Sequence, residues 1–81
     1  MNTKELFCKL LYEKGYTSIN DFAHRNGIDP SNMHKRVKGI TQKVEIGWMF
    51  KIANILHVPV EEIVHIFYID EWNENRSLIE D

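Results

Sequence analysis

The chain has 81 residues, of which 43% are hydrophobic and 27% charged, and its formal net charge is -2. A chain of this length builds one hydrophobic core, which excludes a two-domain protein. Its single cysteine, Cys8, excludes an intrachain disulfide, and no apolar run is long enough for a signal peptide or a membrane span. We therefore expect a soluble cytoplasmic protein with no membrane association.

Hydrophobic periodicity predicts five helices with short connections and no strands. They are expected at 3–14, from a cap at Thr17 or Ser18 to Gly27, at 30–38, at 45–57, and from 60 to about Tyr68. Local signals support the third helix in particular. Asp29 offers an N-cap carboxylate, Pro30 suits the first helical position, and Gly39 follows the last helical residue.

The fourth predicted helix carries a wide apolar stripe, which we expect to face the core. Its members are Ile46, Met49, Phe50, Ile52, Ala53 and Leu56. The helix is expected to end before Pro59, because proline disfavours helix in the preceding residue.

Charge is distributed unevenly along the chain. Residues 25–51 contain six basic and two acidic side chains, whereas residues 70–81 contain five acids and one arginine. A basic segment favours contact with a polyanion even when the whole chain is slightly acidic. The alternative interpretation is a solvated surface that only keeps the protein soluble.

Residues 18–39 resemble the helix-turn-helix of the XRE-type family that includes lambda repressor and Cro. The matching residues are Phe22, Ala23, Gly27, Ile28, Met33 and Gly39. The resemblance continues through the fourth and fifth predicted helices and covers about Thr3 to Phe67. It implies an all-α, five-helix lambda-repressor-like DNA-binding domain over residues 1–69, followed by an acidic C-terminal extension over 70–81.

The resemblance implies a sequence-specific transcriptional regulator, a repressor rather than an activator, of the kind found in phage or mobile-element circuits. Its third helix would read the major groove of double-stranded operator DNA. The expected base contacts are Ser31, Asn32, His34 and Lys35. The expected phosphate contacts are Arg36, Lys38 and Lys43. A homodimer is expected, because one such helix reads only a few base pairs.

Departures from the family pattern favour an alternative function. Ile19 stands where many relatives have a glutamine that contacts phosphate, and Trp48 stands where a polar residue is usual. The alternative is a protein-binding modulator of another repressor, or of an antitoxin-like partner, that keeps the helix-turn-helix scaffold. Its partner or dimer surface would consist of Trp48, Ile55, Phe67, Tyr68 and Trp72.

Catalysis and cofactor binding are not expected from this sequence. Cys8 lies among apolar residues of the first predicted helix, where a buried, inert thiol is expected. The four histidines are not closely paired with cysteine or carboxylate, as a zinc site would require. The glycines are too far apart to form a phosphate-binding loop. We therefore predict no catalytic residue, no metal site and no cofactor.

Overall fold

The computed structural model of this protein describes residues 2–39 and 44–74. These two ranges form a compact all-α globule, in which no residue belongs to a strand. The helices are α1 (Thr3–Glu13), α2 (Ile19–Arg25), α3 (Pro30–Lys38), α4 (Ile46–Leu56), α5 (Val60–Phe67) and α6 (Ile69–Glu74). The all-α prediction is confirmed. None of the described helices is both long enough and apolar enough to cross a membrane.

Side chains close the amino ends of the first three helices. Asn2 caps α1 by accepting a hydrogen bond from the Glu5 amide, at 2.9 Å. Ser18 caps α2 through the Asp21 amide, at 3.0 Å, so Ser18 rather than Thr17 is the cap. The predicted cap of α3 is confirmed, because the Asp29 carboxylate accepts from the Ser31 amide at 3.1 Å. Such caps satisfy amide groups that have no partner inside the helix.

The core is organised around the ring of Phe7, which is fully buried. Its centroid lies 5.7 Å from that of Phe22 in an edge-to-face contact and 5.2 Å from that of Phe67. These contacts join α1 to α2 and to α5. Nearby, the Thr3 hydroxyl donates a hydrogen bond of 2.8 Å to the Ile66 carbonyl, so the start of α1 is tied to the end of α5.

The structure corrects the assignment of Phe67 to a partner or dimer surface. Phe67 is only 5% exposed and packs against Phe7 in the core. The apolar residues at the end of α5 therefore complete the core of the protein instead of forming a surplus that must be covered by another molecule.

The sixth helix was not predicted as a separate element. Tyr68 ends α5 with non-helical backbone angles (φ -122°, ψ 38°), and α6 begins at the next residue. The boundary predicted between residues 69 and 70 therefore falls inside α6. The Trp72 ring lies 4.9 Å from the ring of His65, so this helix contacts α5.

Part of the apolar stripe of α4 is not in the core, contrary to prediction. Ile46 is 60% exposed and Phe50 is 51% exposed, whereas Met49, Ile52, Ala53 and Leu56 are buried. The stripe is wider than the face of α4 that its neighbours cover. The helix ends at Leu56, and the next residue, His57, caps it with a left-handed backbone (φ 57°) and an amide that donates to the Ala53 carbonyl.

Truncation of a buried isoleucine should cost more stability than the same change at an exposed one. We expect Ile63→Val, at a fully buried position of α5, to lower the free energy of unfolding by about 0.5–1.5 kcal/mol. Ile46→Val is the matched control and should change it by less than about 0.5 kcal/mol. Urea unfolding followed by circular dichroism measures both. Equal losses in the two variants would contradict the assignment of Ile46 to the surface.

Candidate nucleic-acid interface

The buried side of α3 determines which of its side chains are accessible. Met33 and Val37 are one turn apart and both are buried, which fixes the rotation of the helix about its axis. The turn before α3 is held by the Ile28 amide, which donates to the Ala23 carbonyl at 2.8 Å. Gly27 permits this turn because its φ of 68° lies in the left-handed region.

The outward side of α3 carries four exposed polar residues, which we call the α3 face. They are Ser31, Asn32, Lys35 and Lys38. At 100° per residue, Ser31, Lys35 and Lys38 lie almost above one another, and Asn32 lies beside them. The helix has three basic residues near its end and no acid among its nine residues. The α3 face is therefore positively charged and rich in hydrogen-bond donors.

His34 forms the border of the α3 face on the side of α2. The ring is half-buried, and its Nε2 atom lies 2.8 Å from Oδ1 of Asn20. Because an amide oxygen only accepts, the ring donates from Nε2. Asn20 thus restricts the orientation of a predicted base-contacting residue. Sequence reasoning missed Asn20, because the two residues are 14 positions apart and leave no local signal.

The neighbouring Ile19 is a core residue, with 3% of its surface exposed. Its side chain contributes apolar burial to α2 and is not available to a partner. The polar contact between α2 and α3 comes from the next residue, Asn20, instead. The burial of Ile19 therefore accounts for an apolar residue at this position of α2.

Arg36 forms the opposite border, on the side of α4. It is half-buried, and its guanidinium carbon lies 4.3 Å from the ring centroid of Trp48. The ammonium nitrogen of Lys51 lies 4.6 Å from the same centroid. Lys38 is exposed, and Lys43, the third predicted phosphate contact, lies outside the described residues. Lys51 was not assigned to the site from the sequence.

The remaining residues of the predicted partner surface are only partly accessible. Trp48, Ile55 and Tyr68 are half-buried, and the Tyr68 hydroxyl donates to the Val44 carbonyl at 2.9 Å. Trp72 is the most exposed of them, at 41%. Of the five residues predicted for a partner or dimer surface, Phe67 is the one that lies in the core.

A cleft of about 230 Å³ lies beside the interface, between α1 and the start of α2. Cys8 is half-buried, not buried as predicted, and it lines this cleft together with Tyr12 and His34. Within residues 2–39 and 44–74, no three His, Cys, Asp or Glu side chains are grouped so that they could hold a metal ion.

Asp21 stabilises the start of α2 as an anion. Its carboxylate accepts a hydrogen bond of 2.9 Å from the Thr17 amide and lies 3.3 Å from the Arg25 guanidinium. The hydrogen bond from the Thr17 backbone, followed by the interaction with Arg25, lowers the pKa of Asp21 despite some desolvation.

No family model, curated protein or solved structure matches this chain. The function of the α3 face must therefore be inferred from its own side chains and from the helices that position them.

Acid should destabilise the protein partly through Asp21. Because folding lowers the pKa of this carboxyl, its contribution is complete above the unfolded-state pKa and is lost as the pH falls through the folded-state pKa. We expect Asp21→Asn to lose less stability than the wild type when the pH is lowered from about 6 to about 3. Thermal unfolding at several pH values measures the difference. Identical pH dependence in the two proteins would refute the role of the Asp21 carboxylate.

Proposed function

We propose that this protein is a sequence-specific DNA-binding regulator with a lambda-repressor-like fold, in which α2 and α3 form a helix-turn-helix. The observation that carries the proposal is the α3 face. Four hydrogen-bonding side chains are exposed on one side of a short helix, while Met33 and Val37 anchor the other side in the core. An α-helix with such a face is suited to the major groove of duplex DNA.

The α3 face offers side chains of the types that read bases. Asn32 can form two hydrogen bonds with adenine, Lys35 can donate to the acceptors of guanine, and the Ser31 hydroxyl can bond to several bases. His34 offers a further hydrogen-bonding group at the edge of the α3 face, where Asn20 restricts the orientation of its ring. A side chain held in one orientation loses less conformational entropy on binding, which favours discrimination between bases.

Basic residues at the end of α3 supply the phosphate contacts. Lys38 is exposed and Arg36 is held at the α4 border of the α3 face. Such contacts position a protein on the duplex without reading its sequence. Because the whole chain has a net charge of -2, attraction to DNA depends on this local charge and should weaken steeply with salt. Transcriptional repression at an operator is the regulatory output that we propose.

Binding to DNA duplexes that the protein selects from a random pool, and to the same duplexes with single base changes, tests whether α3 reads bases. Duplexes selected from a random pool by the wild-type protein should share a short motif. Asn32→Ala and Lys35→Ala should each lose about 1–3 kcal/mol of discrimination against the wrong base at one position of that motif. Lys38→Ala should weaken binding to all duplexes by a similar factor. Fluorescence anisotropy with labelled duplexes measures these affinities.

Lys9→Ala is the matched control for the lysine variants, because Lys9 is an exposed lysine on a different helix, α1. It should leave both the affinity and the motif unchanged. If the pool yields no motif, or if the two α3 variants select the same motif as the wild type with the same affinity, α3 does not read DNA.

A protein-binding role is a second candidate function, and the exposed pair Ile46 and Phe50 on α4 favours it. The two side chains are four residues apart, so they lie on the same side of the helix. Adjacent exposed apolar side chains of this size are typical of interaction surfaces. The partner would be a second copy of the chain, as a DNA-bound homodimer requires, or a second regulatory protein.

Sedimentation velocity tests self-association through this pair. We expect the wild-type protein to dimerise at micromolar concentration and Phe50→Ser to weaken the dimer about 10-fold or more, because an aromatic contact at the centre of an interface contributes about 2 kcal/mol or more. Tyr12→Ser, at another exposed aromatic position, is the control and should have little effect. A wild type that stays monomeric would exclude homodimerisation through α4 and leave a different partner for this surface.

A further inference from the structure

The indole ring of Trp48 lies against two cationic side chains from different helices. The Arg36 guanidinium carbon of α3 is 4.3 Å from the ring centroid, and the Lys51 ammonium nitrogen of α4 is 4.6 Å from it. Both distances are typical of cation–π interactions, in which the negative face of the ring attracts positive charge. We call Arg36, Trp48 and Lys51 the cationic cluster.

The cationic cluster differs from the other Arg–aromatic contact among the described residues. There, Arg25 lies over the ring of Tyr16 at 4.5 Å, and the Asp21 carboxylate neutralises it at 3.3 Å. Neither Arg36 nor Lys51 forms a salt bridge with a carboxylate of residues 2–39 or 44–74. Two like charges are thus held beside one ring, and their mutual repulsion is not offset by a described ion pair.

Arg36 has a further unusual feature. Its Nε atom is buried and has no hydrogen-bond partner, although the residue as a whole is partly exposed. Buried donors without partners are rare in native proteins and call for an explanation. The guanidinium carbon lies against the Trp48 ring, and Lys51 is exposed on the neighbouring helix, with its ammonium group near the same ring.

We infer that the cationic cluster contacts the phosphate backbone of duplex DNA, and that Trp48 is the positioning residue that holds Arg36 and Lys51 for these contacts. The inference rests on the proposed DNA-binding function and adds Lys51 to its phosphate contacts. A phosphodiester fits because its oxygens accept charge-assisted hydrogen bonds from guanidinium and ammonium groups. The contact lies where α3 meets α4, next to the α3 face.

Salt dependence of binding tests the contribution of Lys51. Each neutralised phosphate adds about 0.9 to the slope of log K against log salt concentration. Lys51→Gln should lower the steepness of that slope by about 0.9, so that between about 50 and 200 mM salt it loses about 3.5-fold less affinity than the wild type. Lys9→Gln on α1 is the matched control and should keep the wild-type slope.

Substitutions of Trp48 separate positioning from a structural role. Trp48→Leu keeps an apolar side chain against the core but removes the ring. The slope of log K against log salt concentration should become less steep by the amount expected for the loss of about one to two phosphate contacts, while the selected motif stays the same. Trp48→Phe retains an aromatic face and should restore most of the slope. A purely structural Trp48 would change the unfolding midpoint and leave the salt slope of the folded protein unchanged.

The outcomes distinguish this inference from the proposed function. If the wild type binds DNA and Lys51→Gln keeps its slope, the cationic cluster does not bind phosphate, and the reading role of α3 still stands. If the wild type binds no duplex at low salt, both are overturned. If Trp48→Leu loses its helical circular dichroism, Lys51→Gln alone tests whether the cationic cluster binds phosphate, because that change removes a charge and leaves the Trp48 ring in place.

Discussion

Burial of Met33 and Val37 is the constraint on which the interface depends. Both side chains lie on one side of a nine-residue helix, and their packing in the core determines that Ser31, Asn32, Lys35 and Lys38 face solvent. A helix this short is not stable by itself in water, so its conformation comes from tertiary contacts and from its caps. The chemistry of the α3 face is thus a consequence of hydrophobic packing on the opposite side.

The two borders of the α3 face are held by different kinds of interaction. On one side, a hydrogen bond joins His34 to Asn20 of α2. On the other, the Trp48 ring attracts Arg36 of α3 and Lys51 of α4. The hydrogen bond depends on the direction of its donor, and the cation–π interactions depend on the charge of Arg36 and Lys51. Together they restrict side chains that would otherwise sample several rotamers, which lowers the entropy lost when a ligand binds.

The fold could be predicted largely from local features of the sequence. Asp29, Pro30 and Gly39 mark the ends of α3, because capping and backbone preferences depend on near neighbours. Which side of α4 is covered depends on how the helices pack, so periodicity alone placed Ile46 and Phe50 in the core wrongly. For the same reason Phe67, which packs in the core, was wrongly assigned to a partner or dimer surface.

The site could be predicted in part. The exposed positions of α3 follow from its apolar pattern, but the partners of His34 and Arg36 lie on other helices, at separations with no sequence signal. Trp48 was noticed as an unusual residue for its position, and its surroundings could be known only once α3 and α4 were placed next to each other.

The contact between α1 and α5 has a consequence for synthesis. Phe7 contacts Phe67, and the Thr3 hydroxyl donates to the Ile66 carbonyl, so α1 leaves the ribosome well before the helix that completes its packing. Until α5 has emerged, the apolar side of α1 lacks a large part of its cover. The helical globule therefore acquires its full cooperative stability only after α5 has emerged, and a truncation before α5 leaves a product prone to degradation.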